Sequence, residues 1–229
     1  MSSVGEQSML ETVGLEKSYD DLAALEPLTI SIPQGQRVAL VGRNGSGKTT
    51  FIKLVVGLLD PTGGSVRIAG EAAGSLAARS LVSYISDEPV LYDDLSLAEH
   101  IELICRLHGA QDWEDRAIYL LDRLELSSRI DRLPSRFSRG LRQKTAIVLG
   151  LIRPFSVLIV DEPFVGLDPL GREVFVDLLG LAATGGATLV IATHQLEFAA
   201  SVDRCLALRD GALVFDGPPG QAELSDVVQ

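Results

Sequence analysis

Arg37-Val38-Ala39-Leu40-Val41-Gly42-Arg43-Asn44-Gly45-Ser46-Gly47-Lys48-Thr49-Thr50 is the stretch on which the fold turns. Val38 to Val41 is a continuous apolar run of the kind that forms a strand buried on both faces. Gly42 to Thr49 then fits the pattern G-x-x-x-x-G-K-[ST]. Glycines in such a loop let backbone N–H groups wrap phosphate oxygens with no Cβ in the way. A helix starting at Lys48 turns its positive end toward the same anion. Lys48 is expected to reach the β- and γ-phosphates, and the Thr49 hydroxyl to hold Mg²⁺. Gly42, Asn44, Gly45, Ser46, Gly47, Lys48, Thr49 and Thr50 are therefore the candidate nucleotide-binding residues.

Two more apolar runs end in chemistry. Ser156-Val157-Leu158-Ile159-Val160 leads into Asp161-Glu162. Asp161 is placed to hold Mg²⁺ through water, and Glu162 to act as general base on the attacking water. Thr188-Leu189-Val190-Ile191-Ala192 leads into Thr193-His194. Open parallel sheets bind ligands beyond the carboxyl ends of their strands. The three tips, distant in sequence, are thus predicted to meet at one site.

Around these runs the chain alternates strand and helix. Residues 1–8 read as a loose tail, and residues 9–229 as one domain. Met9 to Ile32 is strand-like with a break at Pro27, and Ser65 to Ile68 is a short strand. Ser96 with Glu99 forms a capping-box pattern that opens a helix running to about Gly109. Further helices fit Asp112 to Leu124, Ser138 to Ile152 and Pro169 to Ala183, so residues about 90–153 read as a helical insertion. Trp113, the only tryptophan, reads as packing. Asp210-Gly211 is a hairpin-turn dipeptide. The class is α/β: a parallel sheet with helices, and antiparallel strands near both ends.

Composition narrows the function. The 229 residues carry 46% hydrophobic and 22% charged side chains, with a net charge of −11 and a pI near 4.7. Nucleic-acid binding draws on Lys and Arg against phosphates, so no nucleic-acid partner is expected. Cys105 and Cys205 have no metal-binding spacing and read as buried thiols in a reducing compartment. No apolar run approaches the roughly 18 residues of a membrane span, and no secretory signal is visible. A cytosolic protein is expected unless something else holds it at a membrane. The mean hydropathy of +0.24 fits an apolar docking surface and a well-filled core equally well.

The glycine loop, Asp161-Glu162 and the motifs around them resemble the ATP-binding subunit of ABC transporters, from about Met9 to Gly217. The resemblance implies a P-loop NTPase with a RecA-like parallel-sheet core, an antiparallel β subdomain and an α-helical subdomain. It implies an ATPase using ATP and Mg²⁺, dimeric with itself or a similar chain. It would power a separate transmembrane permease from the cytoplasmic face of the membrane. Tyr19 resembles the family's adenine-stacking aromatic. Phe137-Ser138-Arg139-Gly140-Leu141-Arg142-Gln143 resembles the signature usually written LSGGQ, which in the family caps the γ-phosphate held by the other subunit. Ser138 and Gly140 match it. Arg139 stands where the first Gly is usual, and Leu141 where Gln is usual. This aromatic-Ser-basic-Gly variant leans toward export. Asp168, in Gly166-Leu167-Asp168, resembles the family's residue at the subunit boundary, and His194 its switch histidine.

One departure lies after the Tyr84 strand. The family usually places there a Gln that touches Mg²⁺ and the attacking water, whereas this chain has Asp87 in Ser86-Asp87-Glu88-Pro89. Asp87 is expected to take the Gln role with altered Mg²⁺ dependence, since it adds negative charge near Glu162. The Pro89 to Leu95 loop, with Val90, Leu91 and Tyr92, is the expected surface for a permease helix. The alternative is a non-transport ATPase of the same family, in DNA repair or translation. Repair members carry long coiled coils that this chain lacks, and translation members usually fuse two cassettes. A GTPase needs an Asn-Lys-x-Asp motif, and Asn44 is the only Asn. A small-molecule kinase would lack the signature and Asp161-Glu162-Pro163.

Overall fold

A computed structural model describes residues 8–20 and 22–221. The expected tail lies outside the described residues except for Ser8, which opens the first strand. In chain order the elements begin with β1 (Ser8–Tyr19), β2 (Leu22–Pro33), β3 (Arg37–Val41), α1 (Lys48–Val55), β4 (Gly63–Ile68) and β5 (Glu71–Ala72). Next come α2 (Leu76–Leu81), β6 (Val82–Ile85), α3 (Leu97–Leu107), α4 (Glu114–Arg123) and α5 (Arg139–Leu151). The chain closes with β7 (Val157–Asp161), α6 (Pro169–Thr184), β8 (Thr188–Thr193), α7 (Leu196–Ala199), β9 (Arg204–Arg209) and β10 (Ala212–Gly217).

Two sheets result. One has the order β2-β1-β4-β5 and is antiparallel. The other has the order β10-β9-β3-β8-β7-β6 and is parallel apart from the β9–β10 hairpin. β9 therefore joins the parallel core beside β3, and β10 alone in this sheet runs the other way. Asp210 and Gly211 both have positive φ, 50° and 83°, as a tight primed turn requires.

β7 and β8 are buried along their whole length, and β3 from Val38 onward. Their side chains alternate between two cores. Leu158, Val160, Leu189 and Ile191 face one side with Ile101, Leu120, Val148 and Phe175. Val157, Ile159, Val190 and Ala192 face the other with Leu40, Phe51, Ile52 and Leu206. A period of two with both sides apolar is what a helix-covered parallel sheet demands. Each fully buried Leu, Ile, Val or Phe contributes about 1.5–3 kcal/mol.

The expected break at Pro27 is overturned, because β2 continues through it for twelve residues. β2 is an edge strand, and its register slips near this point, between Leu15↔Leu28 and Lys17↔Leu25. A missing N–H is tolerated at an edge or a bulge. The Ser96 capping box is formed in both directions, with Ser96 Oγ accepting from Glu99 N and Glu99 Oε2 accepting from Ser96 N. Trp113 sits at the N-cap of α4, packed against the core. The short helix α2, capped by Ser75, had no apolar period long enough to announce it. Cys105 and Cys205 are both buried free thiols, and burial pushes Cys205 up to about 11. Among the described residues no helix is long and apolar enough to cross a membrane.

Candidate active site

The sheet order puts β3, β8, β7 and β6 side by side, so four strand tips adjoin. After β3 the chain turns through Gly42 to Gly47 into α1, with Gly47 in the left-handed region at φ 102°. Packing enforces two of these glycines. A Cβ on Gly42 would lie 2.4 Å from Leu208 O, and one on Gly47 2.8 Å from Ala24 O. The loop is also tied to the β9–β10 turn, since Gly211 N donates to Ser46 O at 3.1 Å.

Lys48 is 6% exposed. Its Nζ donates to Gly42 O at 2.8 Å and Arg43 O at 3.2 Å, and lies 3.5 Å from Glu162 Oε1. A buried ammonium must be paired or hydrogen-bonded, and these three oxygens hold it at the mouth of the loop. The adjoining cavity, about 540 Å³, is lined by residues 44–50, Asp87 and Glu162, with Leu22 to Ala24, Asp210 and Gly211 closing its side. Its volume suits a small-molecule ligand.

Glu162 stands in the left-handed region at φ 45°, a conformation costing a non-glycine residue about 1–2 kcal/mol. Two contacts hold it there. Its N–H donates to Ala192 O at 2.9 Å, and Oε2 lies 2.8 Å from His194 Nδ1. An ionised carboxylate only accepts, so Nδ1 is the donor of that bond. Strain of this kind collects at reactive positions.

Asp161 is 2% exposed, and its Oδ1 has no hydrogen-bond partner among the described residues; Ser46 Oγ shares that condition, and Glu162 Oε1 has only the Lys48 ammonium at 3.5 Å. Buried polar atoms are nearly always satisfied, so oxygens left open here suit a bound cation and phosphate. Burial pushes the Asp161 carboxyl above the ordinary aspartate range; the Thr49 hydroxyl opposes this, Glu162 and Asp87 add to it, and Lys48 opposes it. A carboxyl whose folded pKa is raised binds more protons folded than unfolded, so its ionised form destabilises the fold above that pKa. Asp161→Asn is accordingly expected to stabilise nucleotide-free protein at pH 7 by about 0.5–2 kcal/mol and so to raise its thermal midpoint. The gain should vanish as pH falls and the wild-type carboxyl protonates. Calorimetry across pH checks this, and equal midpoints at pH 7 would refute it.

The remaining sequence-predicted residues lie around this centre. Asp87, just past the end of β6, lines the cavity and accepts from Arg139 Nη2 at 3.1 Å. Ser138 caps α5 through Leu141 N, and Gly140 lies in the first turn; neither lines the cavity. Asp168 caps α6, accepting from Gly171 N at 3.1 Å, and Lys144 beside it holds its carboxyl below the ordinary range. Tyr19 ends β1 half-exposed, outside the cavity lining, with Lys17 Nζ 5.3 Å from its ring centroid. Leu22 to Ala24, Asp210 and Gly211 were not foreseen as cavity walls, because nothing in their local pattern distinguishes them from ordinary strand and turn residues.

A glycine loop opening a helix, a buried lysine, and a carboxylate pair ending the next-but-one strand define a P-loop nucleotide hydrolase. The sequence matches the family described as ABC transporter over residues 25–165, more than half of the chain. It is 35% identical over 84% of its length to the ABC-type transporter ATP-binding protein EcsA of Bacillus subtilis, covering 79% of that protein. It is 33% identical over 91% of its length to the SkfA peptide export ATP-binding protein SkfE of the same organism, covering 88% of it. A solved ATP-binding subunit of an ABC transporter superposes with a TM-score of 0.91 at 32% identity, covering 96% of this chain and 98% of that one. A dimeric post-hydrolysis ATP-binding cassette bound to ADP and Pi matches at 26% identity and a TM-score of 0.84, covering 92% and 99%. The chain belongs to the ABC transporter family and is an ATP-binding, ATP-hydrolysing domain of it.

Proposed function

We propose that this chain is the ATPase subunit of an exporter, driving a separate permease from the cytoplasmic side of the membrane as one half of a dimer of ATP-binding domains. The observation that carries the reading is the buried Lys48 ammonium, 3.5 Å from Glu162 at the mouth of the glycine loop. Relatives named for peptide export and lantibiotic transport support export, and the dimeric cassette supports pairing.

In this mechanism residues 42–50 wrap the phosphates and Lys48 offsets charge on the γ-phosphate. Thr49, Asp161 and Asp87 supply the hard oxygen donors that would hold Mg²⁺. When bound, Mg²⁺ would neutralise charge developing on the phosphates. Glu162 takes the proton of the attacking water. His194 donates a ring N–H to the γ-phosphate once that N–H turns from Glu162 to the nucleotide. Tyr19 stacks on adenine. Ser138 and Gly140 of the other subunit complete the site, where the α5 N-terminus faces an anion, and Asp168 lies at the boundary between subunits. Closure then depends on the one phosphate that both chains touch.

The discriminating experiment is affinity purification from detergent-solubilised cells. Recovery of a polytopic membrane protein that stimulates ATP hydrolysis is the expected result. Recovery of RNA or ribosomes instead would overturn the transport assignment in favour of a translation role.

A further inference from the structure

Two of the three positions at which this chain departs from its family's pattern, Asp87 and Arg139, touch each other. Asp87 stands where Gln is usual and Arg139 where Gly is usual, 52 residues apart, with Arg139 Nη2 3.1 Å from Asp87 Oδ1. Arg139 also reaches a third segment. A Cβ built on Gly166 would lie 3.3 Å from Arg139 Cγ and 3.5 Å from its Cδ, so the arginine stem runs against the loop that follows Glu162. Gly140 packs there too, since a Cβ on it would lie 2.5 Å from Gly166 O. One side chain thus joins the tip of β6, the start of α5 and the loop leading to Asp168.

Electrostatics explains why the two departures come together. A cation in the first turn of a helix opposes the helix dipole, and Asp87 offsets it. A third carboxylate beside Asp161 and Glu162 raises the negative charge of a site that must take a triphosphate, and Arg139 offsets that. Gln with Gly is neutral and Asp with Arg is neutral, while either mixed pair leaves a net charge. The pair is largely exposed, at 60% and 38%. Ion pairs of this kind add little to fold stability, so its consequence is in positioning.

We propose that Asp87 and Arg139 act as one positioning unit, an ion pair that ties the nucleotide cavity of a subunit to its own Ser138 end. If Ser138 caps the partner's nucleotide, as the reading above has it, the pair links the two sites of the dimer. It is a feature of this chain's own side chains.

The test compares Asp87→Gln, Arg139→Gly and the double variant with wild type. Each single variant is expected to lower kcat about tenfold with KM changed less than threefold. The double variant should return to within about threefold of wild type, a non-additivity characteristic of contacting residues. Independent effects that multiply would overturn the proposal. A second readout needs neither nucleotide nor metal. Amide hydrogen exchange should speed up around residues 138–141 in Asp87→Gln and around residues 86–91 in Arg139→Gly. Exchange confined to the mutated segment would overturn it. Thermal midpoints are expected to move by less than about 3 °C. The isosteric pair Asp87→Asn and Arg139→Gln repeats the comparison should Gly in the helix loosen the fold, with Arg139→Lys recovering part of kcat. Uncoupled exchange leaves the roles of Lys48 and Glu162 intact, whereas an unaffected Lys48→Ala enzyme refutes those roles and leaves coupled exchange standing.

Discussion

Glu162→Gln is expected to lower ATP turnover by about 10²–10⁴-fold while ATP stays bound. The substitution keeps the shape of the side chain and removes its ability to take a proton. Glutamine retains an oxygen to accept from His194 Nδ1, which now lies 2.8 Å from the carboxylate. It also removes one negative charge 3.5 Å from Lys48 and next to Asp161. Loss of that charge favours a bound polyphosphate. Binding should therefore hold or tighten as chemistry stops. With the γ-phosphate uncleaved, the contact shared by two subunits persists, and gel filtration with MgATP should show a dimer. A monomer under those conditions would count against the closed-dimer mechanism. Turnover near the wild-type rate would remove Glu162 from its role as base.

Lys48→Ala is expected to act on binding first. Nζ is a buried cation whose present partners are two loop carbonyls and Glu162. Removing one partner of a buried, hydrogen-bonded charge pair costs about 2–5 kcal/mol, which corresponds to about a 30- to 5,000-fold rise in Kd for ATP. Turnover should fall with it, because the same ammonium offsets charge in the transition state. Truncation also leaves Glu162, 14% exposed, without its nearby cation, so a modest loss of stability should accompany the loss of affinity. Titration calorimetry with ATP separates these effects, and an unchanged Kd would end the phosphate-binding role of the loop.

The different legibility of these residues has a physical cause. The phosphate loop is readable because its chemistry is local: strand, glycine turn and helix start lie within fourteen consecutive residues. Asp161-Glu162 and His194 are readable because an apolar strand ending in a polar group has few other uses. Their meeting followed from the strand-end rule for parallel sheets, and the order β3-β8-β7-β6 places those tips side by side. Pro27 misled because its effect depends on whether its strand lies at an edge, which the sequence around it does not encode. The cavity walls at Leu22 to Ala24 and at Asp210-Gly211 come from segments far apart in the chain, brought together by packing of β2 and the β9–β10 turn on the glycine loop.

By itself the sequence determined where the glycine loop, the carboxylate pair and the strand-end histidine stand, because residue type and spacing decide whether a strand runs into a glycine turn or ends in a carboxylate. Only the tertiary structure decided who their neighbours are: Lys48 against Glu162, Glu162 against His194, Asp87 against Arg139. Contacts between segments 32 to 114 residues apart arise from how layers pack across the sheet, and that packing is set jointly by all the buried side chains rather than by any short stretch.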